Sequence, residues 1–202
     1  PEKVWFTLIV LLLSTTLLVA QKTKINEGKF SNLKGITEYN LVFDYTDVQI
    51  PKFKSEEDFL QDKMAKRDEK EPGTGEKFKI DWFDDRHEQY EPKFEVSFNK
   101  RFEEGEVKVG KKLSSAAYTM KIHTTSLYSG YNIGISRKNA NINAVISVYK
   151  NDAPDQLLLK VSYTKAEGGG AMGYDYDTGY RISECYAKLA KTFAKTIIKK
   201  AK

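Results

Sequence analysis

NINAVISVYK, residues 141–150, decides the fold. Ile142, Ala144, Ile146 and Val148 occupy alternate positions with Asn143 and Ser147 between them, the period of a strand with one dry face and one wet face. Two further runs repeat the pattern. AYTMKIHTT (117–125) sets Tyr118, Met120 and Ile122 against Thr119, Lys121 and His123, and QLLLKVSYTK (156–165) sets Leu157, Leu159, Val161 and Tyr163 against Lys160, Ser162 and Thr164. Turn-forming Gly, Asn, Asp and Pro separate the three, so they read as an antiparallel meander.

Upstream, ITEYNLVFDYTDVQI (36–50) alternates Tyr39, Leu41, Phe43 and Tyr45 with polar partners, which predicts one more strand, ended by Pro51. Ser55 followed by Glu56, Glu57 and Asp58 has the hydroxyl cap and early acids of a helix start, with Phe59, Leu60 and Met64 as its apolar side. Phe78, Trp82, Tyr90, Phe94, Phe98 and Phe102 recur at steps of four or eight. That spacing predicts helix over 76–104, interrupted at Glu91-Pro92, although FEVSF (94–98) also alternates as a strand does.

A last helix is predicted over Asp177–Lys199. At 100° per residue Ile182, Cys185, Tyr186, Leu189, Phe193 and Ile197 share one half of the wheel, and Lys188, Lys191, Lys195, Lys199 and Lys202 form a stripe opposite. The apolar half must cover the sheet. The expected architecture is therefore an α+β two-layer sandwich: a mostly antiparallel four-stranded sheet, helices on one face, in the order strand, helices, three strands, helix. One domain over 36–202 is expected, since about 200 residues support one core and hardly two; 21–35 reads as a polar lead-in.

With 40% apolar residues, 30% charged residues, a formal charge of +5 and one cysteine in 202 residues, composition excludes collagen, a disulfide miniprotein, a multi-span membrane protein and a wholly disordered chain. VWFTLIVLLLSTTLLVA (4–20), with Lys3 before it and a switch to Gln21-Lys22-Thr23-Lys24 after it, reads as a signal peptide over 1–20, cleaved after Ala20. Leu18 stands where a small residue is preferred, and the seventeen-residue run is at the lower edge of what spans a bilayer, so a retained anchor is the alternative. Cys185, the single cysteine, offers neither a lipobox nor an internal disulfide, and its place in the final helix predicts a buried apolar thiol. A periplasmic or secreted protein with no stable membrane span after cleavage is expected.

Readable chemistry is sparse. Gly168-Gly169-Gly170-Ala171-Met172-Gly173 has the G-x-G-x-x-G spelling, but one helix is all that follows it where a dinucleotide fold needs a parallel βαβ continuation, so a turning connection and no cofactor are expected. Asp84, His87 and Glu88 share a helical turn and can face a cation together, yet the sequence has no His pair or Cys pair; no metal is expected. G-x-S-x-G, H-E-x-x-H and P-loop motifs are absent from the sequence.

Tyr118 to Thr125, Gly130-Tyr131-Asn132-Ile133-Gly134, Ala140-Asn141-Ile142 and Gly179 to Lys188 together resemble exported bacterial proteins of uncharacterised function. The element order is similar to the small periplasmic α/β domains of envelope lipoproteins, of the curli-secretion and penicillin-binding-protein-activator types. That resemblance implies a domain acting by contact with partners. It implies no catalytic residues, and the lipobox cysteine of those lipoproteins has no counterpart here.

Three functions follow as expectations. The first is a non-enzymatic envelope protein binding another envelope protein or an anionic envelope component, and no nucleic acid, through the polar sheet face or through Lys188, Lys191, Lys195 and Lys199. The second is a carbohydrate- or small-ligand-binding domain using Tyr128 and Tyr131 of the YSGYN loop. The third is a hydrolase drawing on the acids between Asp81 and Glu91, which requires two carboxylates in one pocket.

Overall fold

The computed structural model of the protein describes residues 21–102, 104–169 and 177–201. Its centre is the predicted meander: β4 (Tyr118–Tyr128), β7 (Asn141–Lys150) and β8 (Ala153–Glu167) pair antiparallel in sequence order. Register follows burial. Ile122 stands opposite Ile146, and Ile146 opposite Val161, all three fully buried, so a one-residue slip would move every inward side chain into water. The inner row continues on both sides, to Phe43 of β2 (Glu38–Asp44) and to Ile25 of β1 (Lys22–Gly28).

The sheet corrects two expectations. It is mixed and six-stranded, in the order β1-β8-β7-β4-β2-β3, with β3 formed by Lys108–Gly110, and β2 runs parallel to both β3 and β4. A parallel pair needs a crossover, and the helices between residues 45 and 117 supply it. Seven of the fifteen residues of the polar lead-in form strand β1. KTKINEG gives no apolar alternation and all seven residues are exposed, because an edge strand is held by its backbone ladder to β8 on one side and faces water on the other. Beyond β1, Phe30–Leu33 makes a 3-10 turn that buries Phe30 and Leu33. A two-stranded hairpin, β5 (Tyr131–Asn132) with β6 (Arg137–Lys138), stands apart from the main sheet.

Helices cover the inner face. Ser55 caps α1 (Glu56–Asp68), its Oγ accepting the Asp58 N–H at 3.0 Å. The aromatic run from Phe78 to Phe98 is helical, in α2 (Thr74–Asp85), a π turn over Arg86–Tyr90 and α3 (Glu91–Asn99), whereas Phe102, expected within the helix, lies beyond its end. The ambiguity over 94–98 resolves on Val96, which is 64% exposed while Phe94 and Phe98 are buried; a strand would have put all three on one face. The last helix, α4 (Thr178–Lys200), is capped by Asp177, whose Oδ1 accepts the Tyr180 N–H at 3.0 Å. It lies over β7 and β8 and packs against α3. Phe193 is the hub of this layer, with ring centroids 5.7 Å from Phe30, 6.4 Å from Phe98 and 6.4 Å from Tyr163. The opposite sheet face stays open to solvent, with an Asp44–Lys121 ion pair at 2.7 Å among its polar groups. No helix among the described residues is long and apolar enough to cross a membrane.

Candidate functional site

The helical layer is one strand too narrow for the sheet. Along the inner row, Ile122, Ile146 and Val161 are sealed, but Ile25 on the edge strand is 43% exposed because α4 ends its cover over β8. The step leaves a groove of ≈ 550 Å³ between β1 and α4. Thr23, Ile25 and Phe30 form its sheet-side wall; Thr192 and Thr196 form its helix side, with Lys188, Lys195, Lys199 and Lys200 around them. Thr192 and Thr196 each donate a hydroxyl hydrogen bond to the carbonyl four residues earlier, at 2.9 Å in both cases, which lays their methyl-bearing sides along the helix.

Three of the four stripe lysines of the interaction surface, Lys188, Lys195 and Lys199, therefore meet at one concave site, and Lys200 joins them. Lys191 is half-buried on α4 and does not line the groove, and Lys202 lies outside the described residues. None of the groove lysines takes part in the ion pairs found among the described residues. Lys200 places its ammonium 5.9 Å from the Phe30 ring centre. Ammonium groups with no internal counter-charge beside a partly apolar wall form a positive concavity, the arrangement that concentrates field toward an incoming anion. Periodicity predicted the stripe; it gave no sign of Ile25 or Thr23 as the facing wall, because β1 was invisible to it.

Tyr128 and Tyr131 belong elsewhere. Tyr128, half-buried at the end of β4, lies under the Lys138 ammonium at 5.2 Å, and Tyr131, 40% exposed, stands on the β5–β6 hairpin with its hydroxyl 3.3 Å from Ser136 Oγ. Neither ring packs into the core, and neither lines the lysine groove. The hairpin tip carries Ile135 at 98% exposure.

At the other end of α4 a cleft of ≈ 640 Å³ opens between α2 and the start of α4. Asp81, Asp84, Asp85, Glu88 and Asp177 line it, together with Arg67, Lys70 and Lys77. The condition set by the acidic reading, two carboxylates in one pocket, is met. Asp81 is held by Lys77 at 2.8 Å. Glu91 takes no part: it is 2% exposed and bound between Lys111 and His87, whose Nδ1 is 3.0 Å from Glu91 Oε1. His87 thus turns away from Asp84 and Glu88, so the three do not share a cation site. Among the described residues no group of three or more His, Cys, Asp and Glu side chains is placed to hold a metal ion.

Burial pushes the Asp85 carboxyl up to about 6; a hydrogen bond from Gln89 Nε2 opposes this, and the charges of Asp177, Asp81 and Glu88 add to it. A carboxyl whose pKa is higher folded than unfolded stabilises the fold below the unfolded value, near 3.8, and loses that contribution as pH rises through about 6. Asp85→Asn is therefore expected to be more stable than the native chain at pH 8 by about 1–2 kcal/mol, a figure reduced for the solvent that still reaches the group. Urea denaturation at pH 8 and pH 4 checks it: the gain should vanish at pH 4, and an equal gain at both would refute a titrating Asp85.

Cys185 is fully buried, its Sγ–H directed at Arg181 O at 3.6 Å, and burial pushes the thiol up to about 12, which makes it an inert core group. Of the glycine tract, residues 170–173 lie outside the described residues. Gly168 is described, and a Cβ there would meet the Cys185 backbone nitrogen at 2.8 Å, so this glycine lets β8 approach α4 closely.

No protein family and no curated protein matches the sequence. Among solved structures, the chain is similar to a PelC dodecamer from Paraburkholderia phytofirmans, at 8% identity and a TM-score of 0.33, over 85% of this chain and 98% of that one. A likeness at that level carries no argument about function or assembly.

Proposed function

We propose that this chain is a non-enzymatic protein of the cell envelope, periplasmic or secreted, that binds an anionic envelope component in the groove between β1 and α4. The observation that carries the reading is the convergence of Lys188, Lys195 and Lys199, without internal ion pairs among the described residues, around a partly apolar concavity. The apolar prefix over 4–20 supports the location. A phosphate- or carboxylate-bearing partner fits such a groove; its acidic groups meet the ammoniums and its apolar parts meet Ile25 and Phe30.

The test is binding of two anionic probes, phosphatidylglycerol vesicles and polygalacturonate, each against its neutral counterpart. Binding of at least one is expected at low salt and should weaken steeply as salt rises, since the lysine ammoniums are exposed. Lys188→Glu, Lys195→Glu and Lys199→Glu combined are expected to lower that affinity at least tenfold while the melting temperature stays within a few degrees of native. Affinity unchanged in the triple variant rules the groove out.

A second reading, hydrolysis in the acidic cleft, is favoured by one observation: Asp85 holds its proton to about pH 6 beside Asp84, Glu88 and Asp177 in one cavity. A proton-holding carboxyl sharing a cavity with further carboxyls is an arrangement that glycoside hydrolysis can use. Release of reducing ends from an oligosaccharide panel, lost in Asp85→Asn, would establish it; no turnover across the panel removes it.

A further inference from the structure

A second concavity lies across the 3-10 turn from the lysine groove. Phe30 of that turn faces the groove, whereas Leu33 lines a pocket of ≈ 300 Å³ closed by Ile36, Phe102, Val107, Ile197 and Ile198. These side chains come from the turn and the residues just after it, the segment after α3 and the last turn of α4. Within this apolar lining Arg101 is the one cation, and its Nε is buried without a hydrogen-bond partner among the described residues. Glu106, exposed, stands at the rim. A buried guanidinium N–H without an acceptor is costly, although Arg101 as a whole is only half-buried and Arg86 Nε is buried without a partner in the same way. A ligand that fills this hydrocarbon-lined space and carries an oxygen acceptor would meet the Arg101 side chain.

We infer that this pocket binds a medium-chain fatty acid, with the alkyl chain against Leu33, Phe102, Val107 and Ile198 and the carboxylate accepting from Arg101. An apolar lining with a single placed cationic donor fixes both the class of ligand and its orientation. At about 30 Å³ for each group the size of a water or a methylene, the space takes a chain of about ten carbons. A neutral apolar ligand would leave the Arg101 donor unmet, and a cationic amphiphile would face it with like charge. The site is independent of the lysine groove, so either assignment can fail without the other.

Isothermal titration of the native chain with decanoate, below its micelle concentration, tests this against 1-decanol and decyltrimethylammonium. One equivalent of decanoate should bind, with the alcohol weaker by about tenfold or more and the cation not binding. Arg101→Leu is expected to weaken decanoate about 10–100-fold, the usual worth of a charge-assisted hydrogen bond, and to weaken decanol, whose hydroxyl accepts only a neutral-acceptor bond, clearly less. Val107→Trp fills the space and should abolish binding of both. Ala201→Trp, at the helix end, blocks the same pocket from the other side and serves if Val107→Trp does not fold. The variant with three groove lysines reversed should bind decanoate as the native chain does. No one-to-one decanoate binding by the native chain, native affinity in a folded tryptophan variant, or equal loss of acid and alcohol in Arg101→Leu would each overturn the assignment.

Discussion

Phe193→Ala is expected to remove about 3–5 kcal/mol of stability, the largest single loss in the chain. The ring is fully buried and lies within 6.4 Å of the centres of Phe30, Phe98 and Tyr163, so its deletion opens one void touching the 3-10 turn, α3 and β8 together. Neighbours anchored in three different elements cannot all collapse into the gap, which places the cost toward the upper end of that range. A domain of this size holds about 5–15 kcal/mol in total, so the variant should melt far below the native chain. Urea denaturation checks it through the midpoint at unchanged slope. Val96→Ala on the exposed side of α3 is the control, expected within about 0.5 kcal/mol of native. A Phe193→Ala loss below that of the control would mean that α4 does not close the core as described.

The second large effect is electrostatic. Glu91 is buried at the start of α3, and Lys111 beyond β3 reaches it as an ion pair, with His87 on the other carboxylate oxygen. Lys111→Met leaves a buried carboxylate with His87 alone, at an expected cost of about 2–3 kcal/mol, below the full value for a broken buried pair because Lys111 itself is partly exposed. Adding Glu91→Gln should restore most of the loss, since the uncompensated charge, not the missing contact, is the source of the cost. A double variant no more stable than Lys111→Met would contradict that account. Both measurements are made in one buffer at one pH, so that the two variants differ only in the charge at position 91.

Much of the architecture is legible in side-chain periodicity, and the parts that are not share one cause. The meander, the capped α1, the aromatic helices and α4 all bury a face, and burial is what periodicity records. β1 buries none: Lys22 to Gly28 contribute backbone to the ladder and expose every side chain, so nothing in KTKINEG separates it from a loop. The parallel placement of β2 beside β4 is equally silent, because Tyr39, Leu41 and Phe43 would alternate identically in either direction. The groove follows the same division. Its lysine side was readable from the α4 wheel, whereas its other wall required knowing that an edge strand stands one position beyond the helical cover. Arg101 and the apolar pocket carried no signal at all, since their members come from segments separated by up to about 170 residues.

The pairing of β1 with β8 joins Lys22 to Thr164, so the first strand of the fold has no partner until nearly the whole chain is present. A polypeptide released amino end first must keep this segment waiting while the other strands assemble, and closing so distant a contact is slow. Its lysines, glutamate and asparagine suit that interval, because a charged, water-compatible ribbon does not stick to unfinished neighbours. That late-closing edge is also one wall of the basic groove, whose lysine wall, α4, lies further along the chain still, so a chain halted before Thr164 would have neither wall in place.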